Sequence, residues 1–274
     1  MKCIETTELF PLLNEKLIIL LQGLTDEDFN RPTQFPDWKV KDICAHLLDT
    51  SLRRLSSERD SFVSREQVSI NTYDDLITHV TELADRWALA FSNVSPRILI
   101  EMIGKYQDEL YEYIKRLDPY GISRFSVAWA GEEKSYNWFD IAREYTERWH
   151  HQMQIREALK KEPLYEKELY FPVLDTFMQA LPFHYRNFKR ENGYVLCVTV
   201  TGSAGGKWFL EWNDGLRLVD SPSSEVQTDV IIAQENAWKI CTRWLDKSVY
   251  KIQWKGDREL AEHFKKMNCL LIKE

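Results

Sequence analysis

The chain of 274 residues is long enough for two domains of ordinary size. Its composition, 44% hydrophobic and 29% charged, is typical of a globular protein, and its net charge of -7 argues against nonspecific binding to nucleic acid or to an anionic membrane. No apolar run reaches the roughly 20 residues of a membrane span, the first residues do not fit a secretory signal, and five scattered cysteines favour reduced thiols in the cytoplasm.

The first part of the chain has the apolar spacing of amphipathic helices, with hydrophobic residues three and four positions apart. Gly23 closes the first of these helices, and Pro32 and Pro36 hold the following connection extended or turned. The predicted helices cover residues 7–23, 39–58, 73–92, 97–117 and 137–161.

The pattern changes after Pro163, where segments rich in β-branched and aromatic residues begin. Three glycines between the first two of these segments indicate a β-hairpin. The predicted strands are 194–201, 207–212, 226–233 and 249–254, and the predicted helices are 234–245 and 257–267. We therefore predict two domains, residues 1–162 and 163–274, divided in a charged segment that contains a proline.

The helix at 137–161 carries two candidate ligands. Because successive helical residues turn by about 100°, Glu147 and His151 point about 40° apart on one face. Ile155 and Ala158 continue that face, which favours an inward orientation. A buried carboxylate and imidazole need partners. A divalent metal would be one such partner, and an ordinary glutamate–histidine hydrogen bond would be another.

A third candidate ligand is His46, on the second predicted helix. Helical bundles build metal sites from side chains that project inward from facing helices. Two imidazoles and one carboxylate with an open position suit catalytic zinc, and the same set would also suit nickel or iron. Asp42 or Asp49 could hold the far ring nitrogen of His46, or both could be exposed. His150 lies off the Glu147 face, so we expect it to support a ligand or to face solvent.

Other reactive side chains have no matching partners in the pattern. We expect His79, His184 and His263 to lie at the surface or to pack in the ordinary way. Cys44 faces away from His46 on its helix, so we expect it to be a small core residue.

Two segments resemble the metal motifs of the mycothiol-dependent maleylpyruvate isomerase family. The first is PTQFPDWKVKDICAHLL at 32–48, with a Pro-Thr, a Pro-x-Trp and an Ala-His-Leu in the family's order. The second is EYTERWHHQMQIREAL at 144–159, with Glu-x-x-x-His followed by Ile-Arg, although Gln154 replaces the usual Asp. The resemblance implies that His46, Glu147 and His151 are the metal ligands.

The same resemblance implies an α+β two-domain protein, with an N-terminal up-down helical bundle of the DinB-like group. The C-terminal domain implied is a small α/β domain similar to sterol carrier proteins. Residues 252–267 look like the closing strand and helix of such a domain.

The function implied by the resemblance is that of a zinc-dependent isomerase or S-transferase. Its partners would be a small electrophile such as maleylpyruvate and a low-molecular-weight thiol, mycothiol or an analogue, with neither nucleic acid nor membrane. Arg156 and Arg243 are candidate catalytic partners for substrate carboxylates, although Arg156 could instead form a solvent-facing salt bridge. A noncatalytic protein that binds a metal or a small apolar ligand is the alternative function. If no metal binds, Glu147 should contact a histidine directly.

Overall fold

A computed structural model describes residues 2–35, 38–64, 68–242 and 250–270 of the chain. The described part is an α+β structure in which helices come first and a mixed sheet follows, as predicted. The helices are α1 (Phe10–Gln22), α2 (Asp26–Phe29), α3 (Val40–Arg54), α4 (Tyr73–Phe91), α5 (Pro96–Ile114), α6 (Asn137–Ala158), α7 (Lys167–Met178), α8 (Leu181–His184), α9 (Gln234–Cys241) and α10 (Arg258–Phe264). The strands are β1 (Tyr194–Thr201), β2 (Gly206–Trp212), β3 (Leu216–Val219), β4 (Thr228–Ala233) and β5 (Gln253–Lys255).

All five helices predicted for the first part of the chain are present, and local sequence sets their ends. Thr72 accepts a hydrogen bond from the backbone of Asp75 at the start of α4, and the Asp75 carboxylate bonds back to Thr72, which is a capping box. Ser95 caps α5 ahead of a proline in the first turn. The helix predicted at 39–58 is α3 continued by a π-helical turn at Leu55–Arg59.

The apolar face of α3 packs at the centre of a hydrophobic core. Leu99 and Ile103 of α5 and Ile155 of α6 belong to the same core cluster. Burying each side chain of this size contributes about 1.5–3 kcal/mol before the entropy cost of ordering it. Cys44 is fully buried there, and burial raises the pKa of its thiol. The prediction that Cys44 is a core residue is confirmed.

The five strands form one sheet in the order β3-β2-β1-β4-β5. The predicted hairpin is present as the antiparallel pair of β1 and β2, while β1 also pairs with β4 in parallel. A side chain at Gly205 would lie 2.0 Å from the carbonyl oxygen of Val200, so the hairpin turn requires glycine. β5 pairs antiparallel with β4 at one edge of the sheet.

Several elements differ from the predictions. α2, α7, α8 and β3 were not predicted, and the segment 226–233 is the fourth strand rather than the third. β5 begins at Gln253, later than predicted, and the predicted helix at 234–245 is α9, which ends at Cys241. Residues 243–249, where those two predictions also fall, lie outside the described residues.

Contacts divide the chain into two compact units. The main segments of the first, here called the helical unit, are Thr6–Arg124 and Glu147–Pro163. Those of the second, the sheet unit, are Phe125–Thr146 and Leu164–Leu270. One division lies beside the predicted boundary and another falls within α6. Domains with the limits 1–162 and 163–274 therefore stay a prediction. Among the described residues, no helix has the length and hydrophobicity needed to cross a membrane.

Candidate metal centre

The second half of α6 brings a carboxylate and two imidazoles together in the helical unit. Oε2 of Glu147 lies 3.5 Å from Nε2 of His151 and 3.9 Å from Nδ1 of His150. Candidate ligand atoms of all three residues lie within 4.8 Å of one another. The carboxylate is about a quarter exposed and the two histidines are nearly buried. The predicted pairing of Glu147 with His151 on one helix face is therefore present.

His46 reaches the same cluster from α3. Its ring meets the ring of His151 edge to face, with centroids 4.8 Å apart. Its Nδ1 is buried and accepts no hydrogen bond from any described residue. Burial and the neighbouring His151 hold the pKa of His46 well below its usual range. His46 is therefore neutral at pH 7, which is the form that binds metals.

The side chains present fit a divalent metal. Two ligand atoms each about 2.0–2.1 Å from a tetrahedral zinc lie roughly 3.3–3.4 Å apart, close to the 3.5 Å between Glu147 and His151. An N–H···O hydrogen bond would be shorter, about 2.9 Å. The buried Nδ1 of His46 also has no hydrogen-bond partner among the described residues, so no described contact competes with a metal for it. The direct glutamate–histidine contact expected without a metal is present too, so the ligand set His46, Glu147 and His151 stays a prediction.

Neither aspartate of α3 holds His46. Asp42 accepts a hydrogen bond from the backbone of Lys39 at the start of the helix. Asp49 is fully buried and accepts from Nε and Nη2 of Arg53 at 2.6 and 2.7 Å. The alternative of solvent exposure is therefore wrong for Asp49. An Asp-Arg pair four residues apart on a helix is the signal that could have shown this contact in advance.

His150 is 1% exposed, so the alternative that it faces solvent is wrong. Its ring lies 4.0 Å from the ring of His151, centroid to centroid. It therefore lies beside the predicted ligands. There it either supports them or is itself a ligand, as a third imidazole beside those of His46 and His151.

Gln154 contacts the cluster directly. Its Oε1 lies 2.8 Å from Nδ1 of His151, and both side chains are nearly buried. The sequence showed Gln154 only as a departure from a motif. Its position three residues after a candidate ligand, on the same side of the helix, was the available signal.

The described hydrogen bonds of Arg156, one of the two predicted catalytic arginines, hold parts of the helical unit together. Arg156 donates from all three guanidinium nitrogens, to the side chain of Gln152 and to the carbonyls of Glu162 and Lys16. It therefore joins the end of α6 to α1 and to the following segment. Arg243 lies outside the described residues. A role for either arginine in binding substrate stays a prediction.

Arg53 is a cation that sequence reasoning missed. It follows His46 by seven residues, or about two helical turns, so the two side chains leave α3 on the same face. Its guanidinium is held by Asp49 through two hydrogen bonds and is partly exposed. Its positive charge is one of the influences that lower the pKa of His46. A guanidinium has five N–H donors, so Arg53 retains donors for an anion.

The first part of the chain is similar to one known family domain. Residues 11–67 match the family model described as the mycothiol maleylpyruvate isomerase N-terminal domain. The predicted resemblance is confirmed. This matched segment contains His46, whereas Glu147 and His151 lie beyond it.

Two crystal structures support the same resemblance at the level of the fold. The mycothiol-dependent maleylpyruvate isomerase aligns with a TM-score of 0.55 at 10% identity, and a histidine-to-alanine mutant of it with 0.54 at 9%. Each alignment covers 88% of this chain and 91% of the other. Identity this low shows a shared fold only. A search of curated proteins found no match.

Proposed function

We propose that this chain is a metal-dependent enzyme that uses a low-molecular-weight thiol to isomerise, or transfer sulfur to, a small electrophile. The observation that carries the proposal is the meeting of Glu147 and His151 of α6 with His46 of α3. The match to the maleylpyruvate isomerase N-terminal domain adds support, since the matched segment includes His46. Zinc suits this donor set, and nickel or iron would be accepted by the same donors.

The chemistry of a loaded site follows from its charge. A divalent metal held there would lower the pKa of a thiol, and reversible addition of the thiolate to an activated double bond would permit cis–trans rotation. If the thiol stayed bonded to the electrophile through its sulfur, the same addition would be an S-transfer. Mycothiol or an analogue is the thiol that the resemblance suggests, and maleylpyruvate or a similar compound is the electrophile.

The residues of this chain prepare the site. His46 is held neutral by burial, so that its ring nitrogen is ready as a ligand. Glu147 supplies one negative charge, and its side chain is about a quarter exposed. Trp38 packs beside the ring of His46, with centroids 5.3 Å apart. Arg53 presents hydrogen-bond donors to anionic groups on the His46 face of α3.

The first test is metal content by elemental analysis after growth in zinc, nickel or iron. We expect about one metal per chain in the wild type and none in the His46→Ala/His151→Ala variant. His79→Ala is the matched control, because His79 lies on α4 in the same unit and is not part of the cluster. It should retain its metal. Circular dichroism checks that each variant is folded.

Activity is then measured with low-molecular-weight thiols and cis-alkene carbonyl compounds. We expect turnover only when both metal and thiol are present, and none in the double histidine variant. A wild type that takes up no metal under any condition would exclude the metal-dependent mechanism. A metal-loaded protein without turnover would favour the noncatalytic metal-binding alternative.

A further inference from the structure

The hydrogen bond between Gln154 and His151 defines the proton position on the imidazole. The amide oxygen of Gln154 can only accept, so Nδ1 of His151 must carry the proton. In a neutral imidazole the other nitrogen, Nε2, then has the lone pair. Nε2 is the atom that lies 3.5 Å from the Glu147 carboxylate. The neutral ring is therefore the tautomer in which Nε2, the nitrogen that faces Glu147, has the lone pair that a ligand needs.

We propose that Gln154 is a positioning residue that fixes the tautomer and orientation of His151 for metal binding. The inference rests on the proposed function, because it assumes a metal at this cluster. Groups that bind the outer nitrogen of a ligating histidine commonly change metal affinity by about 10–100-fold. Gln154 is 4% exposed, so water has little access to replace it.

The amide also sets the charge of the site. A carboxylate at this position, as in the motif that the chain resembles, would hold the same nitrogen but add a negative charge. With Gln154, Glu147 is the one anionic group among the four residues His46, Glu147, His151 and Gln154. A loaded site with a divalent ion then keeps a net positive charge. It therefore favours an anionic ligand, such as a thiolate, over a neutral one.

Three variants separate these roles. Gln154→Leu removes the acceptor and keeps the volume, and Gln154→Glu keeps the acceptor and adds charge. Gln107→Leu is the matched control, since Gln107 is a buried amide of the same unit whose side chain makes no hydrogen bond to any described residue. Zinc affinity is measured by competition with a chromogenic chelator, and the tautomer of His151 in metal-free protein by ¹⁵N NMR.

We expect Gln154→Leu to lower zinc affinity about 10–100-fold and to give a mixture of His151 tautomers. Gln154→Glu should bind zinc at least as tightly as the wild type, and it should bind azide, used as the anionic probe, more weakly at the loaded site. Gln107→Leu should match the wild type in all three measurements.

Wild-type zinc affinity together with a single Nδ1–H tautomer in Gln154→Leu would overturn the positioning role. Unchanged azide affinity in Gln154→Glu would overturn the charge argument. If the wild type binds no metal, the proposed function fails instead. The NMR measurement on metal-free protein then still decides whether Gln154 fixes His151, so the two failures are distinguishable.

Discussion

The two compact units each contain a cluster of histidines, and the ring nitrogens are used differently in each. In the sheet unit, Nε2 of His184 lies 2.9 Å from the carbonyl oxygen of His263, and Nε2 of His263 lies 3.0 Å from that of His184. The two rings stack with centroids 4.2 Å apart. In the helical unit, the rings of His46 and His150 both contact the ring of His151, which lies beside the Glu147 carboxylate. Nδ1 of His46 has no described hydrogen-bond partner.

The difference separates a structural pair from a candidate site. Carbonyl oxygens only accept, so both Nε2 atoms of the pair in the sheet unit donate, and the pair joins α8 to α10. This confirms the prediction of ordinary packing for His184 and His263. A buried nitrogen without a partner costs free energy, and such costs are typical of positions kept for binding rather than for stability. Histidine proximity alone therefore does not indicate a metal site.

The largest expected effect is on the pair in the sheet unit. His263→Leu removes one of the two reciprocal hydrogen bonds and leaves the carbonyl of His184 without its donor. We expect the free energy of unfolding to fall by about 1–3 kcal/mol, measured by urea denaturation of metal-free protein at pH 7.5. Metal uptake should not change. Loss of metal with no loss of stability would reverse the assignment of the two clusters.

A smaller effect of opposite sign is expected at His46. His46→Leu replaces a buried, unsatisfied nitrogen with an apolar side chain of similar size, so the metal-free protein should be about 1 kcal/mol more stable, or unchanged. The same denaturation experiment in EDTA measures this. His46→Ala serves for comparison, because it also leaves a cavity and should be less stable than His46→Leu. If His46→Leu lowered the free energy of unfolding as much as His263→Leu does, His46 would be a structural residue.

The smallest effect concerns a carboxyl group of the sheet unit. Burial raises the pKa of Asp175, although Trp208 donates to its Oδ1 at 2.8 Å. The native state then binds more protons than the unfolded state above pH about 3.9, so the stabilising contribution of Asp175 is present at low pH and is lost as pH rises through the raised pKa. We expect the stability of the wild type relative to Asp175→Asn to decline with pH between 3.5 and 7. A difference that is constant or rises with pH would contradict the argument.

The elements that carry the candidate site were predictable, because α3 and α6 have the 3.6-residue spacing of buried helices. The approach of His46 to Glu147 and His151 followed from motif resemblance rather than from spacing. Side-chain contacts were not predictable. Gln154 and Arg53 lie at suitable helical distances from their partners, but spacing does not determine which rotamer is adopted.

Elements outside the site were missed for identifiable reasons. α7 contains Pro172 and follows a charged segment, both of which argue against a helix. β3 has four residues, too few to show an alternating pattern. The pairing of His184 with His263 joins residues 79 positions apart. No local pattern records such a tertiary contact.

The packing of α6 on α3 has a consequence for the order of folding during synthesis. Arg148 donates to the hydroxyl of Ser51, which lies 97 positions earlier in the chain. Contacts of such large sequence separation slow folding, even in a helical protein. At a translation rate of about 5–20 residues per second, α3 has emerged about 5–20 seconds before α6 exists to cover it. During that interval α3, which carries His46, depends on the helices between α3 and α6 in the chain to cover its apolar face. The nascent helical unit completes its core only when α6 arrives.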